Sequence, residues 1–130
     1  MADEFPAEIL QFIDQNIESI AQLEALLLLH KDSQRQWSAD EIAKALYITR
    51  DMADSLLVDM GRRGFARLVL PADARYSYQP RDADADRRIG QLASIYQDRR
   101  VAVISLIYSR PINKVQTFAD AFRLRKEDSP

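Results

Sequence analysis

Trp37-Ser38-Ala39-Asp40-Glu41-Ile42-Ala43 opens the stretch that decides the fold, and that stretch runs on to Tyr78. Ser38 and Glu41 form a capping box: the serine hydroxyl and the glutamate three residues on each satisfy one orphan amide at a helix start. Trp37 before the cap and Ile42 after it are spaced for a hydrophobic staple. The spacing predicts a short helix over 39–46, then a turn through Tyr47-Ile48 to a second N-cap at Thr49. A further helix over 50–63 ends at Gly64, whose missing Cβ suits a left-handed cap. Phe65-Ala66-Arg67-Leu68-Val69-Leu70 and Arg75-Tyr76-Ser77-Tyr78, separated by Pro71-Ala72-Asp73-Ala74, read as strand, turn and strand.

Two helices joined by a tight turn and followed by a β-hairpin make a winged helix-turn-helix. The fold class is therefore mostly α with a small β-hairpin wing, plus a C-terminal helical extension. Upstream, residues 6–15 read as a helix with Ile9, Leu10, Phe12 and Ile13 on its apolar side. Ser19 and Gln22 repeat the capping-box pattern and open a helix to about residue 30, with Leu23, Leu26, Leu27 and Leu29 facing two neighbours. Residues 31–36 form a polar loop.

Downstream, Gln79-Pro80-Arg81 breaks the second wing strand. Asp82, Asp84 and Asp86 follow, where a helix N-terminus favours negative charge. The sequence then reads as one long helix to about residue 108, with Gly90 its only weak point. Ile89, Leu92, Tyr96, Val103 and Leu106 follow heptad-like spacing and are the expected dimer interface. Val101, Ile104, Ile107 and Tyr108 make a second stripe. Pro111 ends the helix, and Ile112, Val115, Phe118, Ala119 and Phe122 make a last amphipathic one, flanked by Lys114, Arg123, Arg125 and Lys126. The chain thus divides into 1–80, the winged helix-turn-helix with its N-terminal helices, and 81–130, a dimerisation arm.

Composition narrows the function. The 130 residues suffice for one core, and the absence of cysteine excludes disulfides and thiolate metal sites, as suits a cytoplasmic protein. No apolar run has the length of a membrane span, and the first residues lack the basic and apolar regions of a signal peptide. His30 is the only histidine, so neither a histidine-based metal site nor a catalytic triad can be assembled in one chain. Asp82, Asp84 and Asp86 have calcium-loop spacing without the glycine and distal glutamate such a loop needs. Three glycines make no phosphate-cradling loop. The sequence predicts no enzyme, no cofactor and no membrane partner.

Net charge is −2, unevenly spread. Residues 1–36 carry seven acids and two bases, residues 37–80 six of each, and residues 81–130 seven acids and ten bases. In the helix over 50–63, turning Ala53, Leu56, Leu57 and Met60 to the core presents Arg50, Asp51, Asp54, Ser55, Val58 and Asp59 outward. Readers of DNA normally offer Arg, Lys, Asn or Gln from this face, so three aspartates argue mildly against base reading. The bases beside it are better placed for phosphate: Arg62 and Arg63 at the helix end, Arg67 on the first wing strand, and Arg75 at the wing tip. Arg50, Ser55, Arg62, Arg63, Arg67 and Arg75 are the candidate DNA-binding residues. An alternative is a protein-interaction module, with Met52 and Val58, or Phe118 and Phe122, as anchors.

The segments Trp37-Ser38-Ala39-Asp40-Glu41-Ile42-Ala43, Ile48-Thr49-Arg50 and Met60-Gly61-Arg62-Arg63-Gly64-Phe65 resemble the winged-helix domains of MarR- and PadR-type bacterial regulators. The tail Phe118-Ala119-Asp120-Ala121-Phe122-Arg123-Leu124-Arg125-Lys126 is similar to small bacterial winged-helix proteins. The resemblance implies a homodimeric transcriptional regulator whose partners are double-stranded DNA and a second copy of itself. In PadR-like proteins a long helix after the wing mediates dimerisation, and residues 84–108 occupy that place.

Overall fold

A computed structural model describes residues 5–109, which form six helices and a small sheet in the order α1 (Ala7–Asn16), α2 (Ile20–Lys31), β1 (Gln36–Trp37), α3 (Ala39–Leu46), α4 (Arg50–Arg63), β2 (Ala66–Leu70), β3 (Arg75–Tyr78), α5 (Ala83–Asp98) and α6 (Arg100–Tyr108). The amphipathic helix expected around Phe118 and Phe122 lies outside the described residues.

Local chemistry accounts for the boundaries. The Ser38 hydroxyl accepts from the Glu41 amide at 3.3 Å while the Glu41 carboxylate accepts from the Ser38 amide at 3.0 Å, so the capping box that starts α3 is complete. The Thr49 hydroxyl accepts from the Met52 amide at 3.1 Å and starts α4. Gly64 ends α4 with φ 85°, in the left-handed region. At α2 the expected box is shifted by one residue. Ser19 caps the Gln22 amide, but the Gln22 side chain accepts from the Glu18 amide and not from that of Ser19.

The wing is a three-stranded antiparallel sheet in the order β1-β3-β2, so the central strand is the last in sequence. Trp37 pairs with Tyr76 and Gln36 with Ser77, which corrects the expectation that the polar loop continues to residue 36. The β2–β3 hairpin turns through one turn of 3₁₀ helix, Pro71–Asp73, with Ala74 left-handed.

One core unites these elements. Ile9, Phe12, Ile13, Leu23, Leu26 and Leu29 of the first two helices pack with Ile42 of α3 and with Ala53, Leu57 and Met60 of α4. Ile89 and Leu92 of α5 and Val103 and Ile107 of α6 complete it. The single long helix expected over 84–108 is corrected: it breaks at Arg99, where φ −134° and ψ 51° leave the helical region. Three contacts hold that corner. The Tyr96 hydroxyl donates to Glu24 of α2 at 2.6 Å, Arg100 donates to the same carboxylate at 3.1 Å, and the Arg99 guanidinium lies 4.4 Å from the centre of the Phe5 ring. Burial and the Glu24 hydrogen bond raise the Tyr96 phenol to about 12, so it remains a donor at physiological pH.

Candidate nucleic-acid interface

Helix α4 follows α3 through the Tyr47–Thr49 turn and packs its Ala53–Leu57–Met60 stripe on the core. Its exposed side carries Asp51, Met52, Asp54, Ser55, Val58 and Arg62. Arg50, at the first helical position, is exposed and pairs with equally exposed Asp40 at 3.4 Å, a contact weak enough to yield to another anion.

Asp59 departs from the expected outward set. Its carboxylate accepts from the Arg63 guanidinium at 2.8 Å and from the Gln22 side chain at 2.9 Å, which turns it toward the α1–α2 corner. Arg63 is thereby engaged at the back of α4, where its second arm reaches Glu18 at 3.0 Å. Burial alone would lower the Arg63 pKa, but hydrogen bonds to Asp59 and then Glu18 raise it above the ordinary guanidinium value. An arginine held by two carboxylates is spent on the fold, and Arg63 leaves the candidate DNA-facing set on that ground.

Arg75 is similarly occupied. At the start of β3 it donates to the Gln36 carbonyl at 3.3 Å and to Glu41 of α3 at 3.2 Å, bracing the wing against the capping box. It does not project from the wing tip. The Ser38 amide is the largest influence holding the Glu41 carboxyl below its ordinary value; burial opposes it, and Arg75 and Arg35 assist.

Arg62 and Arg67 remain, and the fold brings them together. An open concavity lies between the C-terminal half of α4 and the wing, floored by Gly61, Ala66 and Tyr76 and rimmed by Arg62, Arg67 and Arg81. Among the described residues no carboxylate lines it. Arg62 and Arg67 are exposed and make no ion pair with another described residue. Arg81 donates to the Arg63 carbonyl at 3.1 Å, satisfying one of the unpaired carbonyls at the end of α4, and lies 5.3 Å from the Phe65 ring centre. From the sequence alone Arg81 reads only as part of a strand break. The signal available was a lone arginine between the last wing strand and the Asp82 cap, and it has meaning only once β3 is known to return beside α4.

Most of the expected dimer interface is consumed inside the chain. Ile89, Leu92 and Val103 are wholly buried in the chain's own core and offer nothing to a second copy. Tyr96 is half-buried against Glu24, and half-buried Leu106 lines a cleft with Phe5. The large apolar side chains left outside on α6 are Val101 and Tyr108, 77% and 79% exposed.

Among the described residues no group of three His, Cys, Asp or Glu side chains could hold a metal ion, and no helix is long and apolar enough to cross a membrane. No protein-family model matches the chain, and no curated protein matches it by sequence. Solved structures do. The chain is similar to MepR, a transcription regulator of the Staphylococcus aureus multidrug efflux pump MepA, at 20% identity over 92% of this chain and 90% of that one, with a TM-score of 0.50. A single-substitution mutant of MepR matches at 19% identity over 92% and 87% of the two chains, with a TM-score of 0.51. The likeness is one of fold: this chain is a winged helix.

Proposed function

We propose that the protein is a winged-helix DNA-binding transcription regulator that acts as a homodimer. The concavity between α4 and the wing carries this reading: three arginines around it and, among the described residues, no carboxylate lining it, in a protein of net charge −2. A phosphodiester entering between a helix end and a wing meets such a rim, and each arginine that engages one releases counterions. Arg50 and Ser55 lie further along the exposed side of α4, where the N-terminal half of a recognition helix meets base edges. The role of MepR as a transcription regulator supports the same reading. Dimerisation falls to the outer face of α6, where Val101 and Tyr108 are exposed.

A second reading rests on the remainder of the α4 surface. Asp51 and Asp54 are exposed beside Met52 and Val58, a combination that suits a basic protein partner with an apolar anchor. One experiment separates the two: binding to random-sequence duplex DNA at low and raised salt, with mass by light scattering. A dimer whose affinity falls steeply with salt supports the regulator. A dimer that binds no duplex at low salt refutes DNA contact and leaves the protein-partner reading.

A further inference from the structure

Two non-glycine residues among those described hold a positive φ, Tyr47 and Ala74. Ala74 closes the wing turn with a methyl group. Tyr47 is the outlier: φ 58° and ψ 46° place a bulky aromatic residue in the left-handed region, which suits glycine or asparagine far better. The turn itself requires that conformation, because the Tyr47 and Ile48 amides both return to the Ala43 carbonyl to close α3. The tyrosine is not required. Its side chain is 94% exposed, and neither its ring nor its hydroxyl has a partner among the described residues. The chain therefore tolerates strain at this position for a side chain that supports none of the described residues.

The place of the residue supplies the reason. Tyr47 stands two residues before the Thr49 cap of α4, with Lys44 and Arg50 exposed on either side of it in sequence. We infer that Tyr47 is a DNA-backbone contact, its phenol donating a hydrogen bond to a phosphate oxygen beside the groove that α4 enters; this rests on the regulator reading above. Tyrosine is among the side chains that anchor DNA-binding domains to phosphate. A phenol is a neutral donor, so it serves here without competing with the Asp40 and Asp51 carboxylates nearby in the chain. The contact fixes register and orientation, and it reads no base.

The test uses the full chain, a random-sequence duplex at two salt concentrations, and a thermal melt of each variant. Tyr47→Gly relieves the left-handed strain, so its melting temperature equals or exceeds the parent's, while its affinity falls about tenfold. Tyr47→Phe keeps ring and backbone and loses several-fold through the hydroxyl alone. The salt slope stays unchanged in both, because a neutral donor displaces no counterion. Parent-like affinity in Tyr47→Gly overturns the inference and leaves the regulator reading intact. A fall in melting temperature of more than about 5 °C in Tyr47→Gly also overturns it, by showing that the ring is structural. Failure of the parent protein to bind any duplex is a failure of the regulator reading itself.

Discussion

Gln22 offers the sharpest test of how α4 is held. Its side chain is buried, 4% exposed, and uses all of its near geometry: the carbonyl accepts from the Glu18 amide at 2.6 Å, and the amide donates to the Asn16 carbonyl at 3.0 Å and to Asp59 at 2.9 Å. Only one orientation of the amide satisfies one donor and two acceptors at once. In Gln22→Ala the buried Asn16 carbonyl loses this partner at a cost of about 1–3 kcal/mol, and the partly exposed Glu18 amide adds a value near the lower end of that range. Asp59 keeps Arg63 and loses less. The sum is about 3 kcal/mol, or a fall of roughly 10 °C in Tm for a chain of this size. Gln22→Leu restores volume but not partners, so it remains at least about 2 kcal/mol below the parent. Urea denaturation of both variants, with Asp59→Ala and the double variant, completes a cycle whose coupling is about 1–2 kcal/mol. Parent-like stability in Gln22→Leu, or additivity within about 0.5 kcal/mol in the cycle, refutes the argument that this network fixes α4 from behind.

Three further outcomes follow from the same geometry. Arg67→Ala reduces the magnitude of the salt slope of duplex binding by about one with little change in Tm, whereas Arg63→Ala lowers Tm and leaves the slope unchanged; salt titration of both variants checks the split. Gly64→Ala sets a Cβ 3.0 Å from the Arg81 Cβ at a φ of +85°, and costs about 1–3 kcal/mol by denaturation. Adding Arg81→Ala does not restore stability, since the φ penalty remains and the cap on the Arg63 carbonyl is gone. Glu41→Gln keeps the capping geometry and removes the charge. Because the folded Glu41 carboxyl is held below its ordinary value, its stabilisation is present above the ordinary carboxylate range and is lost as pH falls through the folded value. The difference between parent and variant, under about 1 kcal/mol for so accessible a group, is therefore largest near neutrality and vanishes in strong acid; pH-dependent melts check this.

What was legible in the sequence was local. Ser38, Glu41, Thr49 and Gly64 each act within four residues of themselves, so α3, α4 and their junction fall where spacing places them. Strand β1 was not legible, because two residues make a strand only when Tyr76 and Ser77, some forty positions away, arrive to pair with them. Asp59 was misplaced for a related reason. A helical wheel assumes one inward side, but α4 has α2 behind it as well as the core, and Gln22 and Arg63 draw the carboxylate there. The arginines show the same limit. Four looked equivalent as surface charges, and only tertiary contacts divide Arg63 and Arg75, which brace the fold, from Arg62 and Arg67, which face open solvent at the concavity.

The arm carries this furthest. Tyr96 and Val103 are seven residues apart and fit one continuous seam, yet the helix breaks between them and the seam does not exist as a surface. Glu24 draws Tyr96 and Arg100 from opposite sides of the break onto α2, and the new direction of α6 lets Val103 and Ile107, one turn apart, close the core. Val101 and Tyr108 are two turns apart and point the other way from Val103, so the same break that buries one stripe leaves them outside. Val101 and Tyr108 are thus the large apolar side chains of α6 open to the proposed second copy. Val101→Glu with Tyr108→Glu is accordingly the pair of substitutions that converts the proposed dimer to monomer while leaving Tm of the isolated fold nearly unchanged. Leu92→Glu, on the stripe that periodicity alone favours, unfolds the chain instead.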